Sequence, residues 1–376
     1  ALTLESCDIA QFIIAVLRLA MNQQNDIERC IYNKFLGKPL DHTFNEEESE
    51  FLRHIAHLSP MEAFEAILHD FELYKHTESI AFLQAMQEQI LLQLRLPKML
   101  TAILAGASLS VAGLMMQTLF RNPLAGPYVL GINSGASFAV ALFTLAVPMM
   151  SSSLSWLYNI GVTGVALIGS AAILFMVMAL SRRIKSISVI LILGMMLGSA
   201  ISAVVGILQY MGTEESLKSF IVWTMGSLSN VDTQQLYIFA PVVVVGLILS
   251  LVAAKPLNML LLGESNARTL GLNIRLSRGV IFLATTLLAG TVTAYCGPIG
   301  FVGLAMPHLA RMTFRTSDHR TLMPAAMLWG SVAMLLCCLL SDVIARYSVV
   351  LPVNTLTALL GVPIIIFVVL RNRNRQ

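Results

Sequence analysis

The sequence predicts an all-α protein, a polytopic membrane helix bundle. Three observations carry that prediction. Of 376 residues, 56% are hydrophobic and 12% charged, where soluble domains carry about 25% charged residues, and the mean hydropathy is +0.76. Nine apolar runs approach the roughly 20 residues that a helix needs to cross a bilayer. The loops between those runs are basic on alternate sides.

The N-terminal run "IAQFIIAVLRLAM" (Ile9–Met21) is too short to cross and is interrupted by Arg18, so it reads as an interfacial or packed helix. Residues 22–90 hold 13 acidic against 5 basic side chains, whereas residues 91–376 hold 6 acidic against 18 basic. The chain therefore divides into an N-terminal segment, 1–90, and an apolar transmembrane domain, 91–376. Within the former, the acidic stretch 22–57 reads as a small helical insert or a disordered loop.

The nine runs are 97–119, 128–150, 156–180, 187–211, 236–254, 279–296, 299–314, 322–345 and 353–370. The seventh is short and contains Pro307 and His308. Arg121 follows the first run, "SRRIK" (181–185) the third, and Lys255, Arg268, Arg275 and Arg278 lie between the fifth and sixth. Arg311, Arg315 and Arg320 follow the seventh, and "RNRNR" (371–375) the ninth. Basic loops mark the cytoplasmic side, which puts the C-terminus inside and the 1–90 segment outside. Nine spans with an inside C-terminus leave residue 1 outside, so a further span or a cleaved signal is expected upstream.

Proton- or sodium-driven transport needs ionisable groups within the membrane. Here Glu264, Asp342, Arg346 and His308 all fall near the ends of runs. A secondary transporter or channel for a bulky amphipathic solute is therefore the less favoured reading, and a membrane enzyme has no cluster of polar groups at one depth. No GxxxxGK[ST] nucleotide loop is present, so any ATP hydrolysis belongs to another subunit. Small residues recur at helix-packing spacing, at Ala102, Gly106, Ser110 and Gly113 and again at Gly194, Gly198, Ser202 and Gly206. Such faces let helix backbones approach closely in lipid; the second set reads as bundle packing, or as a face on a wide pathway or subunit contact. The five cysteines show no metal-ligand spacing, and a Cys7–Cys30 bridge is open in an oxidising compartment. No metal site and no cofactor are expected in the chain.

The loop "LNMLLLGESNARTLGLNIRLSRG" (257–279) is too polar to span. It reads as a short helix broken at Gly263 and Gly271, with Leu262, Ala267 and Leu270 flanked by an i,i+4 pair, Glu264 and Arg268. An apolar knob with a charged rim suits a helix seated in a partner's groove.

At this point six segments, in order, resemble the FecCD or BtuC-like permease subunits of binding-protein-dependent ABC importers for iron chelates, haem and vitamin B12. They are "LRLPK" (94–98), "FRNPLAGPYVLGINSGA" (120–136), "LGESNARTLGLNIR" (262–275), "GPIGFVGLAMPHLAR" (297–311), "SDVIAR" (341–346) and "LTALLGVP" (356–363). The resemblance implies a type II fold of ten spans, a homodimer with its pathway on the two-fold axis, two cytoplasmic ATPase subunits that bind ATP and magnesium, and an extracytoplasmic binding protein. Membrane lipid surrounds such a protein, and no nucleic acid is involved. The resemblance also implies docking of the binding protein at Arg95, Lys98 and Arg346, and a gate around Asn133 and Ser134, with the small face at Gly194 and Gly198 the accompanying pathway candidate. It implies ATPase coupling through Gly263, Glu264, Ala267, Leu270 and Gly271. Two departures stand out: "VLPVN" (350–354) replaces the family's Glu-Leu-Pro-x-Gly, and the acidic 22–57 stretch is longer than the usual outer loop. The expected protein is thus a multi-pass permease of the bacterial cytoplasmic (inner) membrane, importing a metal chelate, with ferric siderophore first and haem or cobalamin next.

Overall fold

The computed structural model describes residues 8–21, 26–39, 42–57, 60–72, 95–146, 161–184, 186–345 and 351–373. Every regular element among them is helical. The chain divides into two compact units, Ala1–Leu96 with Asp342–Val350, and Pro97–Ser341 with Leu351–Gln376.

The first unit contains α1 (Asp8–Met21), α2 (Asp26–Phe35), α3 (Glu46–His57) and α4 (Pro60–Asp70). In α1, Phe12, Ile13, Val16 and Leu19 are fully buried; their spacing puts them on one helical face. The helix is therefore packed rather than interfacial. Phe12 stacks on Phe35 with ring centroids 4.1 Å apart and meets the edge of Phe71 at 4.9 Å. The acidic stretch is helical over α2 and α3. Asn45 and Glu48 start α3 with a reciprocal cap: the Glu48 amide donates to Asn45 Oδ1 (2.8 Å) and the Asn45 amide to Glu48 Oε2 (2.9 Å), satisfying two donors that a helix start otherwise leaves open. Lys38 Nζ also donates to Glu48 Oε1, and Arg18 pairs with Glu28 at 2.6 Å.

The second unit is the apolar bundle. α5 (Leu96–Leu119) is buried along most of its length, about 36 Å at 1.5 Å per residue. Its small residues explain how. A Cβ placed on Gly106 would lie 2.2 Å from the Gly330 carbonyl oxygen, and one on Gly113 only 1.8 Å from that of Gly303. Backbone thus rests on backbone at both crossings, the arrangement small residues permit in lipid.

The second apolar run is not one helix. Pro127 opens a 3-10 turn, Pro127–Leu130; Gly131, at φ 78°, then redirects the chain into α6 (Ile132–Ala141), which continues as a π turn over Leu142–Ala146. α7 (Gly161–Arg183) and α8 (Ile187–Met211) follow. Between the runs 187–211 and 236–254 lies a further helix, α9 (Glu214–Met225), whose N-cap Thr213 accepts from the Ser216 amide. α10 (Thr233–Val252) leads into two short helices, α11 (Ala254–Leu261) and α12 (Glu264–Thr269). α13 (Ile274–Cys296) starts five residues before the sixth run, because Asn273 caps it by accepting from the Leu276 amide at 3.2 Å. α14 (Val302–Phe314), α15 (His319–Ala345) and α16 (Val353–Arg373) complete the unit. Among the described residues, α5, α7, α8, α10, α13 and α15 are long and apolar enough to cross a membrane. The second and ninth runs give shorter apolar helices, over Ile132–Ala146 and Val353–Val368, and the seventh gives the 13-residue α14.

Candidate functional site

The polar groups of the bundle converge where α5, α11, α14 and α15 end. Gln117 Nε2 donates to the Leu304 carbonyl (3.1 Å), and its Oε1 accepts from Arg311 Nη1 (2.7 Å). One residue on, Thr118 Oγ1 lies 2.8 Å from His319 Nε2. The other face of that imidazole meets Asn258: Nδ1 is 2.7 Å from Asn258 Oδ1, which also accepts from the His319 amide at 2.8 Å. Asn258 Nδ2 donates to Asp318 Oδ1 at 2.5 Å. His319 is 1% exposed, and a buried imidazole without such partners would be costly. Asp318 is exposed, and hydrogen bonds from the Arg320 amide and from Asn258 hold its carboxyl below the ordinary aspartate value.

The loop after α5 is tied to the same cluster. Arg121 Nη2 donates to the Leu260 carbonyl at 2.9 Å, and His308 Nε2 donates to the Pro123 carbonyl at 2.9 Å. His308, which reads from the sequence as a lone histidine near a span end, is a brace for this turn. Gln117, Thr118, Arg121, Pro123, Leu261 and Arg311 line an open cleft of about 350 Å³.

The α11–α12 pair covers Ala254–Leu261 and Glu264–Thr269, the first part of the 257–279 loop read from the sequence and the three residues before it. Gly263, at φ 109°, forms the elbow between the two helices, and Gly271, at φ 85°, ends the second. Both are backbone conformations that side-chain-bearing residues rarely adopt. Leu262 and Leu270 are 60% and 59% exposed, while Ala267 is fully buried. Ala267 therefore supports the pair from inside, and the two leucines form its apolar crest. The expected Glu264–Arg268 pairing is not what forms. Glu264 instead pairs with Arg278, reaching from α13, whose side chain is 6% exposed; a buried guanidinium is costly without a carboxylate, whereas exposed Arg268 is solvated without one.

The gate candidates come together. A Cβ on Gly194 would lie 2.5 Å from the Val129 carbonyl oxygen, and one on Gly198 3.1 Å from Ser134 Oγ, so α8 lies directly on the turn that starts α6. Asn133 Oδ1 is enclosed there without a hydrogen-bond partner among the described residues. Gly206 meets nothing within 4 Å, and Ile192, Met195, Met196, Ile207 and Tyr210 leave much of α8 exposed. Of the docking candidates, Arg95 is exposed immediately before α5 and Lys98 lies in its first turn. Arg346 lies outside the described residues, as does Cys7. Among the described residues no group of His, Cys, Asp and Glu side chains is arranged to hold a metal.

A model of the FecCD transport family matches residues 51–371. The hemin transport system permease protein HmuU of Yersinia pestis is 39% identical over 291 residues, covering 76% of this chain and 85% of that protein. The vitamin B12 import system permease protein BtuC of Klebsiella pneumoniae is 37% identical over 297 residues, covering 78% and 86%. A solved metal-chelate type ABC transporter, in an inward-facing conformation, superposes with a TM-score of 0.69 at 33% identity, covering 76% of this chain and 89% of that one. The chain belongs to the FecCD transport family and is a multi-pass membrane permease, a transport subunit rather than an enzyme.

Proposed function

We propose that this permease is the membrane subunit of an ATP-driven importer that takes a metal chelate from an extracytoplasmic binding protein into the cytoplasm. The observation that carries the reading is the α11–α12 pair: two leucines project from helices too polar to span, while Glu264–Arg278 and the Asn258–His319–Thr118 chain hold the helices to the bundle. A crest of that kind suits a groove on an ATPase. Two copies of the chain form the pathway, lined in part by Asn133, Ser134, Gly194 and Gly198. Arg95, Lys98 and Arg346 meet carboxylates of the binding protein and set encounter rate and register. The basic loops place the C-terminus in the cytoplasm, and the membrane is the bacterial inner membrane. ATP and magnesium belong to the partner ATPase.

For the cargo, ferric siderophore is the first reading. A macrocyclic chelate is the second, favoured by the hemin and vitamin B12 permeases among the relatives. Uptake by proteoliposomes holding the permease, its ATPase and the binding protein separates them, using ferric siderophore, hemin and cyanocobalamin as probes. ATP-dependent accumulation of one probe identifies the class; accumulation of none, with an active ATPase, would remove the metal-chelate reading.

A further inference from the structure

Besides the Glu264–Arg278 pair, two different ties join the coupling helices to the bundle. The first is the Asn258–His319–Thr118 chain, which clamps α11 to the ends of α5 and α15 through a buried imidazole. The second is Arg121, and its setting differs. Its guanidinium donates to the Leu260 carbonyl in the last turn of α11 and lies where a Cβ on Gly263 would be 3.1 Å from Nη2. Arg121 thus touches the elbow itself, the one place where α12 can swing relative to α11 without distorting either helix. It does so from a left-handed backbone, φ 50°, that residues with side chains seldom adopt.

The other end of the same short segment reaches the gate. Eight residues after Arg121, the Val129 carbonyl lies against Gly194 of α8. Between them the turn is stiff: the Leu124 amide donates to Asn122 Oδ1 (2.9 Å), the Pro123 carbonyl accepts from His308, and Pro127 opens the 3-10 turn. A segment held at one end by the elbow and at the other by α8 passes a displacement on rather than absorbing it, because packed elements shift between discrete arrangements.

We infer that Arg121 is the positioning residue that transmits movement of the α11–α12 elbow to the gate, through the 121–130 turn and Val129 onto α8. The inference rests on the importer reading above and deepens it: the His319 clamp holds the loop in place, and Arg121 carries the stroke. Removing Arg121 then separates ATP hydrolysis from gate movement, whereas removing His319 weakens the assembly as a whole.

The test uses the complete transporter in proteoliposomes with a cysteine introduced by Ser134→Cys in a cysteine-to-serine background. Maleimide labelling at that position is read with and without ATP-vanadate, alongside the hydrolysis rate. In the otherwise unaltered protein, labelling should change more than fivefold on trapping. With Arg121→Ala that change should fall below twofold while hydrolysis stays within threefold, and Arg121→Lys should restore part of it. If Arg121→Ala does not assemble, Arg121→Met, which keeps the side chain's length and loses its donors, is held to the same criteria. An undiminished labelling change, or a parallel loss of labelling change and hydrolysis, overturns the inference. If the unaltered protein neither retains an ATPase nor changes its labelling with ATP, the importer reading fails and the inference goes with it.

Discussion

Glu264 shows what a single residue's partner decides. The sequence offers Arg268 one turn away, and an exposed pair of that kind is worth a few tenths of a kcal/mol. The structure offers Arg278, buried on α13, and that pairing forms instead. Nothing in the local sequence distinguishes the two arginines; only the packing of α13 does. Glu264→Ala should therefore lower stability by about 1–3 kcal/mol, Glu264→Gln by less, and Arg268→Ala by no more than about 0.5 kcal/mol. Thermal unfolding of the purified protein in detergent reads all three.

Glu48 makes a second prediction at the same scale. Burial alone would raise its pKa, but hydrogen bonds from Lys38, the Asn45 amide and His42 outweigh burial and hold it below the ordinary glutamate value. Burial and the nearby Glu48 carboxylate together push the Tyr32 phenol well above its ordinary range. A depressed carboxylate contributes stability that is complete above its unfolded pKa, about 4.3, and is lost as the pH falls through the lower folded value. Amide hydrogen exchange in α2 and α3 should accelerate below about pH 4 relative to a global-stability reference. Glu48→Gln should flatten that pH dependence; an unchanged profile would show that the carboxylate is not what titrates.

At the scale of elements, periodicity and composition reveal which residues pack but not against what. The small face of α5 is plain in the sequence, yet its partners, Gly330 on α15 and Gly303 on α14, lie some two hundred residues away and carry no local signal. A Cβ at Gly113 has no room beside a carbonyl oxygen, so Gly113→Ala should cost about 1–3 kcal/mol or prevent assembly. Gly206→Ala, facing open space, should change stability by less than about 0.5 kcal/mol. Thermal midpoints of the two variants check this directly.

The second apolar run reads as one continuous span because hydropathy is blind to Pro127 and Gly131, which break it before α6 begins. α9 escapes a hydropathy reading for the opposite reason: its twelve residues are too polar for a span signal, although Thr213 with Glu214 and Glu215 is a legible helix start. The "VLPVN" departure also has a structural place. Asn354 Oδ1 accepts from the Gly300 amide at 3.0 Å, in the turn where Phe301 takes φ 64° and its side chain leaves Gly361 no room for a Cβ.

At the scale of the whole molecule, composition and loop charge are enough to recognise a multi-pass helical protein, because the bilayer constrains backbone so strongly. The 257–279 loop is legible for the same reason: a polar stretch broken by glycines cannot cross the bilayer, so it must fold at the membrane surface between the spans that flank it. What stays hidden in the sequence is the polar cluster behind that loop. Gln117, Thr118, Asn258, Arg311 and His319 are scattered over two hundred residues and meet only when four helix ends are brought together. "SDHR" (317–320) and the Arg121 of "RNPLA" are the visible hints, and by themselves they read only as loop charge and as part of a motif.

The proposed function requires a partner ATPase to act on this chain through the α11–α12 crest. It is tested most directly by measuring ATP hydrolysis and ATPase retention in proteoliposomes for the unaltered protein and for a Leu262→Asp/Leu270→Asp double variant. Both leucines are well exposed, so the change should leave the thermal midpoint of the permease within a few degrees. The ATPase should co-purify with the unaltered chain and be lost, or hydrolyse ATP at least tenfold more slowly, with the double variant. Full ATPase retention and unchanged hydrolysis in the double variant would contradict it.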